Sequence, residues 1–256
     1  MPVTFDGFDF NDGTFITERV TFKGFAKRAL SRANIARREG ISLLNTEFGE
    51  KEVTIEGVVI TDEAVDLQGT LDGAKKALTK EEGDLIVESG RTWKATVSNV
   101  VIPDEHYSLS KAPFQVTFVC SNPFAEGTLA TAIQNVPSGF YTFSGGITIS
   151  GTMFARPIVT FIPPVTTGNT NIQSFVFNHT PSGQEITISG FGTGGLDYDD
   201  TIVVNMDTLA SLVGGEATNL TGAFPRWEPG TNNYTVTVSG YHVGGTVQIT
   251  YRPRYL

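Results

Sequence analysis

The sequence predicts a mainly β chain in two parts: a small sheet or barrel with one packed helix, then an antiparallel two-sheet β-sandwich. Three observations carry this. The run from Phe114 to Cys120 alternates, with Phe114, Val116, Phe118 and Cys120 on one face and Gln115 and Thr117 on the other, the period of a half-buried strand. Beyond its stop at Asn122-Pro123 the charge thins. Residues 1–126 hold 14 Lys and Arg against 20 Asp and Glu, whereas residues 127–256 hold 4 against 7. Finally, Leu67, Leu71, Ala74 and Leu78 recur at the spacing of one helical stripe.

In the first part, the stretch from Phe15 to Phe25 reads as β-rich. Residues 26–40, rich in Arg and Ala, have the composition of a helix, yet their high charge and few large apolar anchors also suit an exposed arm or loop. Val53 to Ile60 is a strand. Thr61-Asp62 offers an N-cap, with Glu63 and Asp66 favourable in the first turn. The helix then runs to a stop at Gly83, and Gly69 and Gly73 are expected to let its backbone pack closely. Leu85 to Glu88, Arg91 to Val101 and the closing strand Phe114 to Cys120 complete the first domain, residues 1–126, with Asn122 to Gly127 as the hinge.

Residues 127–256 contain about ten short strand-like runs, the clearest beginning at Phe140, Ile147, Pro157, Ile172, Glu185, Thr201, Tyr234 and Thr246. Turn signals separate them at Ser144-Gly-Gly, Pro163-Pro164, Thr167-Gly-Asn, Pro181-Ser-Gly, Gly192-Thr-Gly-Gly and Gly214-Gly215. Many short strands at this spacing point to a sandwich.

Composition excludes several classes. The chain has 256 residues, a net charge of −9 and a pI near 4.8, which argues against a basic nucleic-acid groove. No apolar run approaches the roughly 20 residues that span a bilayer, so no membrane insertion is expected. The N-terminus has neither the basic start nor the apolar core of a secretory signal. One cysteine permits no intramolecular disulfide, and Cys120, on the apolar face of its strand, reads as a buried inert thiol. The sequons at Asn178, Asn219 and Asn233 read as chance matches in a Thr-rich β domain.

No constellation of residues points to catalysis, a metal or a cofactor. His106, His179 and His242 have no metal-ligand partner at short spacing. Asp197-Tyr-Asp-Asp200 lacks the glycine and closing glutamate of an EF-hand loop, and is expected to hold no metal. Gly192-Thr-Gly-Gly has no helix after it to bind phosphate, and Ser182 with His179 has no orienting acid nearby.

Strand, helix, strand, Arg91-Thr-Trp-Lys-Ala-Thr-Val, then Phe114-Gln-Val-Thr-Phe-Val-Cys-Ser-Asn-Pro-Phe-Ala resembles the first domain of siphophage distal tail proteins, the Dit family. The second half resembles that family at Gly151 with Arg156-Pro157-Ile158, at Asp200-Thr-Ile-Val-Val-Asn-Met-Asp, at Phe224-Pro-Arg-Trp-Glu-Pro-Gly, and at the terminal Val-Gln-Ile-Thr-Tyr-Arg-Pro-Arg-Tyr. The resemblance implies a galectin-like sandwich for residues 127–256. It also implies a homo-hexameric ring joining the tail-tube protein to the tail-tip protein, with the second domain facing outward toward receptor-binding parts. Such a protein belongs to the virion tail and is assembled in the host cytoplasm. DNA passes through the ring's axial channel without specific binding. The long basic stretch departs from the family pattern. Its Lys23, Lys27, Arg28, Arg32, Arg37 and Arg38 are the candidate subunit interface.

Two other functions share the composition. A carbohydrate-binding module would use Trp227 to stack on a sugar and Glu228 to bond its hydroxyls, although Trp227 between Pro225 and Pro229 reads more readily as a packed anchor. A tail-tube subunit shares the ring logic, but would be a single β domain.

Overall fold

The computed structural model describes residues 2–22, 28–34, 41–62, 64–102, 110–137, 142–164, 172–191, 195–240 and 244–256. It divides into two compact units, Met1–Gly127 with Tyr255–Leu256, and Thr128–Arg254.

The first unit opens with β1 (Thr4–Phe5), β2 (Phe8–Asp9) and β3 (Phe15–Phe22). A turn whose Asp12 carboxylate accepts from the amides of Thr14 and Phe15 leads into β3. There follow β4 (Arg28–Asn34), β5 (Ile41–Phe48), β6 (Lys51–Ile60), α1 (Ala64–Ala77), β7 (Gly83–Glu88), β8 (Arg91–Val101), β9 (Lys111–Cys120) and β10 (Ala125–Glu126). The main sheet runs β2-β1-β7-β8-β9-β6-β3, with β10 and the terminal β22 (Arg254–Tyr255) attached off that path. It is an open sheet and does not close into a barrel.

Alternation in β9 buries Ala112, Phe114, Val116, Phe118 and Cys120. On the opposite face Gln115 donates to Glu56 at 2.7 Å. Phe5, Phe10 and Phe15 pack on Phe114 and Phe118 with ring centres 4.9–6.2 Å apart, separations at which aromatic pairs attract. β9 is not quite the last strand of the unit, because the two-residue β10 follows it; within the sheet it lies between β8 and β6. Nor is the segment after it a bare hinge: β10 pairs with β8 through Glu126 and Thr92, and Ala125 is fully buried.

Helix α1 buries Leu67, Leu71 and Ala74 of the expected stripe, and Leu78, the residue after its end, is buried with them. Two expectations about it fail. It ends at Ala77, where the Thr79 hydroxyl caps the Lys76 carbonyl at 2.8 Å, and Gly83 instead begins β7. Gly69 and Gly73 lie on the exposed face, where a Cβ would meet nothing. The close backbone packing belongs to Gly57 of β6, where a Cβ would collide with the Ile16 carbonyl and the Phe114 ring.

Residues 28–34 are strand, not helix. β4 pairs antiparallel with β5, with a bulge at Ser31/Arg32, as a two-stranded sheet separate from the main one. Local composition lost here to pairing with a segment further along the chain.

The second unit contains β11 (Ala130–Val136), β12 (Thr142–Ile149), β13 (Ile158–Ile162), β14 (Ser174–His179), β15 (Gln184–Ser189), β16 (Ile202–Asn205), β17 (Ala210–Val213), β18 (Glu216–Ala217), β19 (Leu220–Gly222), β20 (Gly230–Ser239) and β21 (Gly245–Tyr251). One sheet has the order β11-β21-β13-β16-β17-β18, the other β12-β20-β14-β15-β19, and every pairing within them is antiparallel. Alternate residues of both sheets, among them Phe161, Phe175, Phe177, Ile186, Val204, Val236 and Ile249, form one core. This is the sandwich.

Ser144-Gly-Gly is not a turn. It is the middle of β12, paired with Thr235, Tyr234 and Asn233. Gly145 is needed because the Tyr234 ring and hydroxyl stand where its Cβ would be. That hydroxyl donates to Gln134 at 2.6 Å, and burial raises its pKa to about 12.

Candidate functional site

The candidate assembly surface falls partly outside the described residues. Lys23, Lys27, Arg37 and Arg38 lie there; Arg28 and Arg32 sit on β4, opposite Phe48 and Leu43 of β5. The basic stretch thus contributes the first strand of a two-stranded antiparallel pair.

The first unit's remaining charge is largely acidic. Asp84 pairs with Lys94 at 2.6 Å, and Asp6 pairs with Lys80. Glu81 and Glu82 face solvent. Lys51 is the buried cation among the unit's described residues, held 5.0 Å from the Phe22 ring and 5.1 Å from the Trp93 ring. Desolvation lowers its pKa, against the opposing pull of Cys120 and Glu88. Burial pushes the Cys120 thiol up to about 11, with Lys51 acting in the other direction. At neutral pH it is an un-ionised thiol in the core, a poor nucleophile.

Trp227 is completely buried. Its indole stacks on His179 at 4.9 Å and Phe177 at 6.0 Å, and leans on Tyr234 at 6.2 Å. Its backbone carbonyl accepts from the Ala155 amide at 2.8 Å. A sugar would find no open ring face. Glu228 is exposed, and its carbonyl accepts from Asn232 at 2.8 Å. These two residues are the anchor and the rim of a core cluster.

His179 and Ser182 do meet, with Nδ1 and Oγ 2.7 Å apart. The third member is Asn232, whose Oδ1 lies 3.0 Å from His179 Nε2. Asn232 Nδ2 donates to the carbonyls of Glu228 and Gly230, so Oδ1 is the acceptor. Nε2 therefore carries the imidazole proton, and the Ser182 hydroxyl donates to Nδ1. Burial lowers the His179 pKa, opposed by the bond to Asn232. An uncharged amide stabilises an imidazolium less than a carboxylate would, and burial outweighs it here. The cluster pins the β14–β15 turn to the start of β20. The sequence spacing revealed the Ser182–His179 pair but not Asn232, which is 53 positions from His179.

The Asp197–Asp200 acids form a turn, closed by the Asp200 amide on the Asp197 carbonyl at 3.2 Å. Among the described residues no group of His, Cys, Asp or Glu is arranged to hold a metal ion. His106 and His242 lie outside the described residues, as do residues 192–194 of the glycine-rich loop.

One grouping was not recognised from the sequence. Arg156, Arg226 and Arg254 converge on the ring of Phe154. The available signal was that these are three of only four cations in residues 127–256.

No family model matches the sequence, and no characterised protein matches it in a sequence comparison. The fold, however, is that of phage distal tail proteins. It matches the crystal structure of the Dit protein of phage SPP1, described as a paradigm of the hub adsorption apparatus in phages infecting Gram-positive bacteria. The match covers 100% of this chain and 99% of that one, with a TM-score of 0.74 and 14% identity. Two structures of the phage p2 baseplate in its activated conformation, with strontium and with calcium, match at a TM-score of 0.42 and 12% identity, covering 94% of this chain and 92% of that one.

Proposed function

We propose that this chain is a non-enzymatic structural protein of a long-tailed phage: the hub at the distal end of a non-contractile tail, joining the tube to the tip. One observation carries the reading. A chain with 14% identity keeps the SPP1 Dit architecture end to end, at a TM-score of 0.74. Six copies close a ring through the first unit, and the second unit faces outward.

The chemistry of the first unit supports such an assembly. A cyclic contact uses two different patches per subunit, which must complement each other. Residues 1–126 carry both signs of charge in quantity, and the second half does not. The β4–β5 hairpin, separate from the main sheet and flanked by basic residues, suits an arm laid on a neighbouring subunit or the adjoining tail ring. The edges β2 and β3 of the main sheet present backbone that a closed ring would cover. An acidic chain around an axial channel repels DNA phosphates, so DNA slides through without being held.

Native mass measurement of the full chain, with electron microscopy of the particles, tests this. The expected result is a six-fold ring that weakens at high salt and is disrupted by Arg37→Glu with Arg38→Glu. A folded chain that stays monomeric and cannot join tails overturns the hub reading. Tight binding of duplex DNA overturns the sliding-channel part.

A further inference from the structure

The second unit concentrates its few cations at one point. The guanidinium carbons of Arg226, Arg156 and Arg254 stand 4.0, 5.7 and 5.7 Å from the centre of the Phe154 ring. Asp207 is 3.4 Å from Arg156 at the exposed edge of this group. Among the described residues Arg226 forms no ion pair, and it is exposed. Beside the arginines opens a pocket of about 190 Å³, walled by Met206, Phe224 and Pro225.

Leu209 forms its lip. This leucine is 63% exposed and has a φ of 56°, held by a turn in which Asn205 Oδ1 accepts from the amides of Asp207 and Thr208. A leucine in the left-handed region and facing water is disfavoured both by its backbone and by its hydration. Strain of this kind points to use.

We infer that this pocket docks an acidic segment of a partner polypeptide, with a carboxylate among the guanidiniums and a neighbouring apolar side chain against Leu209 and Phe224. The polar side chains that line it are arginines, which only donate. Carboxylates only accept, whereas sugar hydroxyls need both. Arg226 covers the Phe154 face on which a sugar would stack. An inorganic anion would leave the apolar wall unused. In a chain of net charge −9, a focused positive site also draws anionic partners preferentially. That the partner is another virion protein rests on the hub reading; the docking chemistry does not.

The test is a titration of the full-length protein with a fluorescein-labelled capped peptide, Gly-Asp-Leu-Glu-Phe-Gly, followed by anisotropy. Binding should be detectable below about 1 mM and should weaken with salt. It should fall about tenfold or more in Arg226→Glu, and by a similar factor when the peptide's acids are replaced by their amides. Arg252→Glu, the same charge change at the remaining cation of residues 127–256, which is exposed and does not line the pocket, should leave it unchanged. Equal binding of the amide peptide, an unaffected Arg226→Glu variant or no binding would overturn the inference. So would competition by inorganic phosphate or galacturonate at concentrations no higher than the peptide's. A reading of particle mass on the same sample keeps failure here distinct from failure of ring assembly.

Discussion

Replacing Trp227 by alanine isolates what the second unit's core is made of. The indole is fully buried and touches the rings of His179, Phe177 and Tyr234. Truncating a buried Trp costs about 3–5 kcal/mol in lost transfer energy and cavity formation. Three ring partners place it toward the upper part of that range. The indole Nε1 is buried without a hydrogen-bond partner, so its removal returns part of that loss, on the order of 1 kcal/mol. The net expectation is a loss of about 4 kcal/mol, a large share of an ordinary domain's 5–15 kcal/mol. Tryptophan fluorescence is unsuitable because the variant removes the second unit's only tryptophan. Hydrogen exchange read by mass spectrometry against urea resolves peptides from residues 128–254. Peptides of the first unit, including the one that holds Trp93, serve as an internal reference whose midpoint should not move. A loss under about 1 kcal/mol, with the fold intact, would refute the core assignment. Native stability with lost binding to a cell-surface glycan would favour the carbohydrate-binding alternative instead.

Other outcomes follow from single features. Gly69→Ala and Gly73→Ala should each stabilise the first unit by about 0.5–1 kcal/mol, because both sites are helical, exposed and open; a thermal melt showing destabilisation would contradict the placement of α1. The His179 pKa is lowered in the fold, so above about pH 7 both folded and unfolded states are neutral there and pH has no effect through this group. As pH falls through the ordinary histidine range, the unfolded chain takes up a proton that the fold resists, and stability of the second unit is lost until the folded group also titrates. His179→Asn should flatten that slope between about pH 7.5 and 5.5 in urea titrations, and an unchanged slope would show that His179 is not its source.

Much of the fold was legible because its signals are local. The period of two in β9 and the stripe on α1 follow from strand and helix geometry, and each reports which face is apolar without reference to the rest of the chain. The fall in charge after Glu126 marked a change of character at the place where the first unit gives way to the second. The buried Cys120 was legible for the same reason as its strand.

Where the reading failed, the deciding partner was distant. Residues 28–34 read alone as helix or as an exposed arm or loop, and only pairing with β5 makes them strand. Ser144-Gly-Gly looks like a turn until Tyr234, some ninety positions on, is found occupying the space a side chain would need. Trp227 between Pro225 and Pro229 reads as a packed anchor before a sugar platform, and the rings that pack it, on β14 and β20, are the part that spacing does not name. The convergence of Arg156, Arg226 and Arg254 on Phe154 was invisible for the same reason, since one-dimensional spacing carries no information about which turns meet at one end of a sandwich. Sequence alone determined the secondary-structure periods, the two-part composition and the apolar faces, because these depend on neighbours within one element. Tertiary structure alone decided strand order, the rings around the indole and the arginine pocket, because each depends on contacts between residues far apart in the chain, and it decided the β4–β5 pair because strand pairing there outweighs the composition of either segment.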